Sequence, residues 1–160
     1  MKIGISSCLV GIDCTYSGSN NLVRGLQKLY KEGKAVIACP EVLGGLSIPR
    51  DPAEIQSQNP LTITTIHNRD VTYEYQQGAQ KALDIFIEND VSVAILKWRS
   101  PSCGNDGVYD GSFSHHLIDG QGVFAQMLAE HGIKVFNEKQ ISEFLAYIGE
   151  NDEYKSYFQD

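Results

Sequence analysis

Four short apolar runs, separated by segments with helical periodicity, limit what this 160-residue chain can fold into. The runs are residues 2–7, 35–39, 91–97 and 133–136, and isoleucine or valine recurs in each of them. An apolar run without polar alternation is typical of a strand that is buried on both faces of a parallel sheet. The pattern therefore predicts an α/β fold, a three-layer αβα sandwich around a mainly parallel, Rossmann-like sheet.

Amphipathic helices are predicted in the segments between and after these runs. Leucine and tyrosine side chains share one helical face between residues 21 and 32, and Gly33 ends that segment. Asp70 is expected to cap a long second helix over residues 71–86, because a short carboxylate accepts hydrogen bonds from first-turn amides. Two further helices are predicted at residues 123–132 and 138–148.

Two long connections, residues 40–70 and 98–122, contain all five prolines and seven of the fifteen glycines. Both are predicted to be irregular, apart from a short strand at residues 61–65. Long loops of this kind are commonly functional. Since no repeat or linker is evident, residues 1–160 are expected to form one domain, with residues 150–160 either a frayed tail or an extra helical turn.

Charge and hydropathy narrow the function classes. The net charge is −7 and no cluster of lysine and arginine is present, which argues against nucleic acid as a direct partner. No run approaches the roughly 20 apolar residues that span a bilayer, and the N-terminus does not resemble a signal peptide. We therefore expect a cytoplasmic protein without membrane association, either a monomer or a homodimer.

Three cysteines lie where predicted strands end. Cys8 is predicted to end the first strand, Cys39 ends the second, and Cys103 lies in the connection that leaves the third. The carboxyl ends of parallel strands share the edge where ligands bind, so the three thiols are expected to converge. Converging thiolates suit iron–sulfur clusters or zinc. The alternative is that these cysteines simply fill the core, and no CxxC pair decides between the two.

Cys14 is the fourth thiol and follows Cys8 in a glycine-containing loop. Its spacing is compatible with a fourth metal ligand, a persulfide carrier or an ordinary loop cysteine.

Several stretches around these cysteines occur in a characteristic order over most of residues 3–138: SSCLVGIDCTYSG, CPEVLGGLSIPRDPAEI, RDVT, LKWRSPSCG, VYDGSF and GQGVFAQMLAEHGIKVFNE. In them the chain resembles a bacterial family known as domain of unknown function 523, to which the thiouracil desulfidases belong. The resemblance implies a [4Fe-4S] cluster held by Cys8, Cys39 and Cys103, with a fourth iron open to the sulfur of a thiolated pyrimidine. Cys14 falls where the family tolerates other residues and is kept only as an alternative ligand. Members typically carry Tyr-Asp-Gly where this chain has 16–18, Tyr-Ser-Gly, so the role of that loop does not carry over.

The activity that the resemblance implies is hydrolytic desulfuration of a small thiolated pyrimidine, such as a 2-thiouracil-like base or nucleoside. The open iron would act as a Lewis acid, and no net redox change is needed. Glu41, two residues past Cys39, is the candidate for activating water, the alternative being that it caps local backbone amides. Ser100 and Ser102 flank Pro101 and are candidates to bind the ring or relay a proton, the alternative being ordinary turn roles.

Other polar residues are less specific. Arg50 and Asp51 are expected to pair with each other or with substrate. Five loop residues suggest a second metal site: His115, His116, Asp106, Asp110 and Asp119. Their spacing matches neither an EF-hand loop nor an HExxH helix, so they are expected to be mostly solvated.

Two rival functions stay open at this level. A metal-free thiol enzyme would use Cys8 or Cys103 as a nucleophile activated at a helix N-terminus, with His67 or His131 as the available base. A non-catalytic zinc or sulfur-handling domain would instead close a structural site with all four cysteines.

Overall fold

The structure, a computed structural model, describes residues 2–149 and 152–159. Its strands in chain order are β1 (Ile3–Ser6), β2 (Ala35–Ala38), β3 (Ala53–Gln58), β4 (Leu61–Thr65), β5 (Val93–Leu96), β6 (Val108–Tyr109), β7 (Leu117–Ile118) and β8 (Lys134–Asn137). Its α-helices are α1 (Arg24–Lys31), α2 (Pro40–Leu43), α3 (Thr72–Glu88), α4 (Val123–Glu130), α5 (Ile141–Tyr147) and α6 (Asp152–Lys155). Short 3-10 helices cover Ser7–Val10 and Ser156–Phe158.

A four-stranded sheet in the order β2-β1-β5-β8 forms the centre of the fold, and each neighbouring pair is parallel. Ile3 of β1 pairs with Ala35 on one side and with Val93 on the other. The chain moves from β1 to β2 in one direction and then crosses back past β1 to reach β5. The carboxyl end of the sheet between β1 and β5 is therefore the topological switch point, where α/β folds bind ligands.

Helices cover both faces of this sheet, which confirms the three-layer αβα prediction. On one face, α1 and α5 bury Leu26, Leu29 and Phe144 against Ile3 and Ile5. On the other face, α3 and α4 bury a second apolar cluster that includes Ala79, Leu83, Phe86, Phe124 and Leu128. Each fully buried large side chain of this kind stabilises the fold by about 1.5–3 kcal/mol.

The tail is helical where the structure describes it. Residues 152–158 form α6 and the 3-10 helix that follows it. Tyr154 is buried, and the Tyr157 hydroxyl donates to Glu32 Oε1 at 3.0 Å. The extra helical turn is therefore present, and the remaining part of the expected tail, residues 150, 151 and 160, lies outside the described residues.

The connection over residues 40–70 is more ordered than the sequence predicts. The expected strand at residues 61–65 is present as β4, but it pairs antiparallel with β3, which the prediction missed. β3 reads AEIQSQ, and hydrophobic periodicity does not reveal so polar a strand. Pro40 also begins the short helix α2, since its fixed φ suits the first helical position.

The first strand and the first helix are both shorter than predicted. β1 stops at Ser6, so Cys8 lies in the 3-10 turn after the strand rather than at its end. α1 begins at Arg24 instead of residue 21, because the amide of Asn21 donates to the Cys8 carbonyl at 2.9 Å. That hydrogen bond ties the segment before α1 to the turn that carries Cys8.

The predicted cap of α3 is wrong. Val71 occupies the N-cap position, and the Asp70 carboxylate accepts a hydrogen bond from the Thr72 amide at 2.9 Å in a turn just ahead of the helix. α5 also begins later than predicted, at Ile141, because Asn137 stabilises a turn before it.

The connection over residues 98–122 contains a small hairpin in which Val108 of β6 pairs with Ile118 of β7. Within residues 2–149 and 152–159, no helix combines the length and the apolar character needed to cross a membrane.

Candidate active site

A cavity of about 630 Å³ opens at the carboxyl edge of the parallel sheet. All four cysteines line it, together with the three residues predicted to act in catalysis: Glu41, Ser100 and Ser102. Cys8, Cys14 and Cys103 are buried, and Cys39 is partly exposed. The topology thus collects in one place thiols that are far apart in the sequence.

Cys8 is held by the 3-10 turn that follows β1. Its carbonyl accepts hydrogen bonds from the amides of Asn21 at 2.9 Å and Gly11 at 3.4 Å. Gly11 has a φ of 93°, a left-handed conformation that glycine adopts without a steric penalty. Burial raises the pKa of the Cys8 thiol to about 11, so a cationic partner is needed to hold it as a thiolate near neutral pH.

Cys39 lies between β2 and α2, and the position of α2 is set by close packing against α3. A Cβ on Gly78 would overlap the carbonyl of Pro40, and a Cβ on Gly44 would overlap the carbonyl of Glu74. Only glycine permits backbones to approach so closely. Cys39 is therefore placed by backbone-to-backbone contact between two helices.

Cys103 is placed by a turn that the start of α4 clamps. Ser100 Oγ accepts hydrogen bonds from the amides of Ser102 at 3.1 Å and Cys103 at 3.0 Å. The amide of Phe124 donates to the Ser102 carbonyl at 2.8 Å, and Gly122 leaves no room there for a Cβ. Burial raises the pKa of the Cys103 thiol well above its usual range.

Cys14 reaches the cavity from the loop after Cys8 and lies beside Cys39. Cys39 Sγ is 3.9 Å from the Cys14 carbonyl, and Arg50 Nη2 donates to the same carbonyl at 2.8 Å. The hydrogen bond from the Cys14 thiol lowers the pKa of Cys39 to about 7, and the same bond raises the pKa of Cys14 well above its usual range. Cys39 is therefore the thiol most readily ionised.

The thiols suit an iron–sulfur cluster better than a single metal ion. Among the described residues, no three Cys, His, Asp or Glu side chains lie close enough together to bind one ion. In a four-iron cluster the cysteine ligands are spread around the cluster, because each binds a different iron. Thiols spread around one cavity fit that donor set, so the four-cysteine zinc site is not supported.

Glu41 accepts hydrogen bonds at both carboxylate oxygens. Oε1 accepts from Arg50 Nε at 3.2 Å and from the Tyr75 hydroxyl at 2.9 Å. Oε2 accepts from Ser102 Oγ at 2.8 Å and from Ser100 Oγ at 3.4 Å. A carboxylate has about four acceptor sites, so these donors fill them. The hydrogen-bond partners found for the Glu41 carboxylate in the described structure are all side chains, which leaves its predicted alternative role as a backbone cap without support.

Arg50 and Asp51 do not pair with each other. Arg50 forms its salt bridge with Glu41, and both side chains are largely buried. Asp51 pairs instead with His67 at 2.9 Å on the exposed surface. Asp51 precedes Pro52, which favours extended backbone, and in an extended chain neighbouring side chains point in opposite directions.

The chain is similar to known proteins over most of its length. The family model described as 2-thiouracil desulfurase matches residues 3–140. The chain belongs to this desulfurase family. A solved structure, the [4Fe-4S]-dependent thiouracil desulfidase TudS, is 40% identical with a TM-score of 0.83, and the match covers 89% of this chain and 93% of that one. Uncharacterized protein YbbK of Bacillus subtilis (strain 168) is 43% identical over 148 residues, 88% of this chain and 98% of YbbK.

Membership of the desulfurase family confirms the family predicted from the sequence and makes the chain an enzyme. The non-catalytic accessory domain is therefore not supported. The metal-free thiol enzyme also lacks both bases predicted for it, since His67 binds Asp51 and His131 Nδ1 lies 2.8 Å from the Met127 carbonyl at the far end of α4.

The sequence does not single out three residues of the desulfurase cavity: Tyr75, Trp98 and Arg99. Tyr75 is buried, and burial and the Glu41 carboxylate raise its pKa well above its usual value. Trp98 Nε1 and Arg99 Nε are buried without a hydrogen-bond partner in the described part of the chain. The Arg99 guanidinium lies 3.8 Å above the Trp98 ring. Their position directly before Ser100, in the LKWRSPSCG stretch, is the only signal that indicates them.

The loop histidines and aspartates behave mostly as expected. His116, Asp106 and Asp119 are exposed. His115 is exposed as well, but it lines the desulfurase cavity, where its ring meets the Tyr109 ring edge to face with centroids 5.3 Å apart.

Proposed function

We propose that this desulfurase hydrolyses the C=S group of a small thiolated pyrimidine, 2-thiouracil or a related base or nucleoside, with a [4Fe-4S] cluster as cofactor. The observation that carries the proposal is a single cavity that combines soft thiol ligands with a carboxylate bonded to two serine hydroxyls. The similarity to the [4Fe-4S]-dependent TudS supports the cofactor. In the balanced reaction, C=S and water give C=O and hydrogen sulfide, with no net redox change.

The residues that would hold the cluster are Cys8, Cys39 and Cys103. When bound, the cluster supplies a Lewis acid for the thiocarbonyl sulfur and an acceptor for the sulfur that leaves. Cys14 is not assigned as a ligand. Its thiol donates to Cys39, and hydrogen bonds to a metal ligand orient it and adjust its donor strength.

Water activation falls to Glu41 acting through the serines. Ser102 Oγ is 2.8 Å from Glu41 Oε2 and 3.7 Å from Cys103 Sγ, so it connects the carboxylate to the thiol side of the cavity. A proton lost by the attacking water passes to Ser102 as Ser102 passes its own proton to Glu41. Arg50 and Tyr75 hold the carboxylate from its other oxygen during this transfer.

The surroundings of the site fit a small free substrate. The four cysteines are free thiols, which suits a reducing compartment such as the cytoplasm. The net charge of −7 is unfavourable for binding to nucleic acid. A monomer or a homodimer is proposed as the assembly.

Iron and sulfide analysis after anaerobic reconstitution tests the cofactor and its ligands. We expect about four irons per chain, with the matching absorption spectrum, in the wild type and in Cys14→Ala, and their loss in Cys103→Ala. An iron-free wild type would contradict the proposed cofactor. Equal iron loss in Cys14→Ala and Cys103→Ala would contradict the three-cysteine ligand set.

Replacement of Glu41 tests the base. Glu41→Gln keeps the shape of the side chain but accepts no proton, so we expect kcat for 2-thiouracil to fall by about 100-fold or more while the iron content is unchanged. Asp51→Asn is the matched control, because Asp51 is a nearby carboxylate that binds only exposed His67 in the described structure. Full turnover by Glu41→Gln with its cluster intact would rule out the assignment.

A further inference from the structure

The β6–β7 hairpin carries a loop, residues 110–116, beside the mouth of the cavity. Tyr109 and His115 of this segment line the cavity, and their rings are in edge-to-face contact. His115 is exposed, so its imidazole is accessible to a molecule in the cavity. No role assigned so far uses it.

A buried carboxylate holds this loop in place. Glu54 of β3 is 7% exposed, and its Oε1 accepts hydrogen bonds from the amides of Gly111 at 2.9 Å and Phe113 at 3.1 Å. Gln56 Nε2 donates to the Gly111 carbonyl at 2.9 Å. A buried carboxylate is tolerated only when it is paired or hydrogen-bonded, so the loop amides and Glu54 stabilise each other.

The loop backbone adopts conformations that most residues avoid. Phe113 has a φ of 59° and His115 a φ of 61°, both in the left-handed region. Such strain persists where the surrounding structure enforces it, and it is concentrated at ligand-binding sites. The bonds to Glu54 hold Gly111 and Phe113, and His115 follows two residues later at the wall of the cavity.

The neighbouring His116 has a structural explanation. It lies outside the set of described residues that line the cavity. Its carbonyl accepts a hydrogen bond from the Asp110 amide at 2.9 Å. The pKa of the Asp110 carboxyl is lowered mainly by hydrogen bonds from Ser112, with a smaller contribution from His116. Of the two adjacent histidines, only His115 is positioned to meet a ligand.

We propose that His115 binds the pyrimidine ring of the substrate and that Glu54 is the residue that positions His115. A neutral imidazole offers one N–H donor and one acceptor nitrogen, and a pyrimidine edge presents N–H groups and a carbonyl oxygen. Glu41 cannot take this role, because protein donors fill its acceptor sites. His115 thus determines which ring is bound, while the base of the cavity acts on C=S. The inference rests on the proposed function.

The test compares His115→Ala with His116→Ala in anaerobically reconstituted enzyme. Binding of the product uracil is measured by calorimetry. The kcat and KM are measured with 2-thiouracil, and the iron content of every sample is determined. Loss of one hydrogen bond weakens binding about tenfold, so we expect a rise of that size in the uracil Kd and in KM for His115→Ala. Its kcat should stay within about twofold of the wild type, its iron content should not change, and His116→Ala should match the wild type.

Glu54 is tested in a double-mutant cycle with His115. Glu54→Ala is expected to weaken uracil binding alone but to add nothing in the His115→Ala background, because it acts through that side chain. If the double variant lost uracil affinity by the product of the two single losses, Glu54 would not position His115. If Glu54→Ala does not fold, Glu54→Met, which fills a similar volume but accepts neither loop amide, takes its place in the cycle.

Wild-type affinity in His115→Ala, or equal losses in His115→Ala and His116→Ala, would overturn the assignment of His115. The proposed function fails in a different way. In that case the wild type itself, with its cluster loaded, neither binds uracil nor converts 2-thiouracil.

Discussion

The base and the mouth of the candidate active-site cavity are built in different ways. At the base, Cys39 depends on α2, which is held against α3 by backbone contact at Gly44 and Gly78. At the mouth, His115 depends on hydrogen bonds between a polar loop and Glu54. Two helices whose backbones are closely packed cannot shift easily, whereas a loop held by hydrogen bonds moves when a few of those bonds are lost. Substitutions at the base should therefore change the fold and the cluster, and substitutions at the mouth should change substrate binding.

The largest effect is expected from Gly78→Ala at the base. The new Cβ overlaps the Pro40 carbonyl, so α2 must move away from α3 and carry Cys39 with it. Overpacking of this kind costs about 1–3 kcal/mol, and alanine regains up to about 1 kcal/mol as the better helix former. We expect a net loss of about 1–2 kcal/mol, a melting temperature lower by roughly 2–8 °C, and less iron after reconstitution.

The matched control is Gln77→Ala, the preceding exposed position of α3. It changes the same helix without touching α2, and it should leave both melting temperature and iron content unchanged. If Gly78→Ala behaved like this control, α2 would have room to move, and the base would be no more rigid than the mouth.

A smaller effect on the fold is expected at the boundary between the two regions, where the role proposed for Ser100 is positioning and the role proposed for Ser102 is proton transfer. Ser100 Oγ accepts the Cys103 amide, whereas Ser102 Oγ donates to Glu41. Ser100→Ala should reduce iron content and turnover together. Ser102→Ala should keep its iron and lose about 100-fold in kcat with 2-thiouracil. Equal iron loss in both variants would show that the two serines act only as one structural turn.

The sheet and the meeting of the thiols follow from the sequence, because buried parallel strands leave uninterrupted apolar runs and their carboxyl ends share an edge. The strand β3, which pairs with β4, cannot be predicted from the sequence, since AEIQSQ has no clear hydrophobic periodicity. Helix starts at Arg24 and Ile141 were also missed, because they depend on hydrogen bonds to distant or preceding turns. Short-range propensity contains no information about such bonds.

The partners of the candidate site residues are harder to predict than the residues themselves. The stretch around Cys39 indicates Glu41, but its partner Tyr75 is 34 positions away and comes from a different helix. Gly78, one turn further along α3, allows the two helices to approach. The sequence does not distinguish His115 from His116. In the structure they differ, because His115 has a left-handed backbone conformation and lines the cavity.

The smallest expected effect is the response of the two regions to acid. Asp70 supports the start of α3, which belongs to the base, and Asp110 supports the mouth loop. The pKa of each carboxyl lies below its ordinary value of 3.8, because of hydrogen bonds from the Thr72 amide to Asp70 and from Ser112 to Asp110. A carboxyl with a lowered folded-state pKa contributes stability that is complete above its unfolded pKa and is lost as the pH falls through the folded one.

Asparagine at either position keeps an acceptor oxygen and removes the titration. Between about pH 5 and pH 3, the decline in the free energy of unfolding should be shallower in Asp70→Asn than in the wild type, as measured by urea denaturation. Asp110→Asn should change that decline less, because α3 is part of the core and unfolds with the whole chain, whereas the mouth loop opens locally. Equal flattening in both variants would mean that the mouth and the base unfold as one cooperative unit, and the difference between them would then be confined to substrate binding.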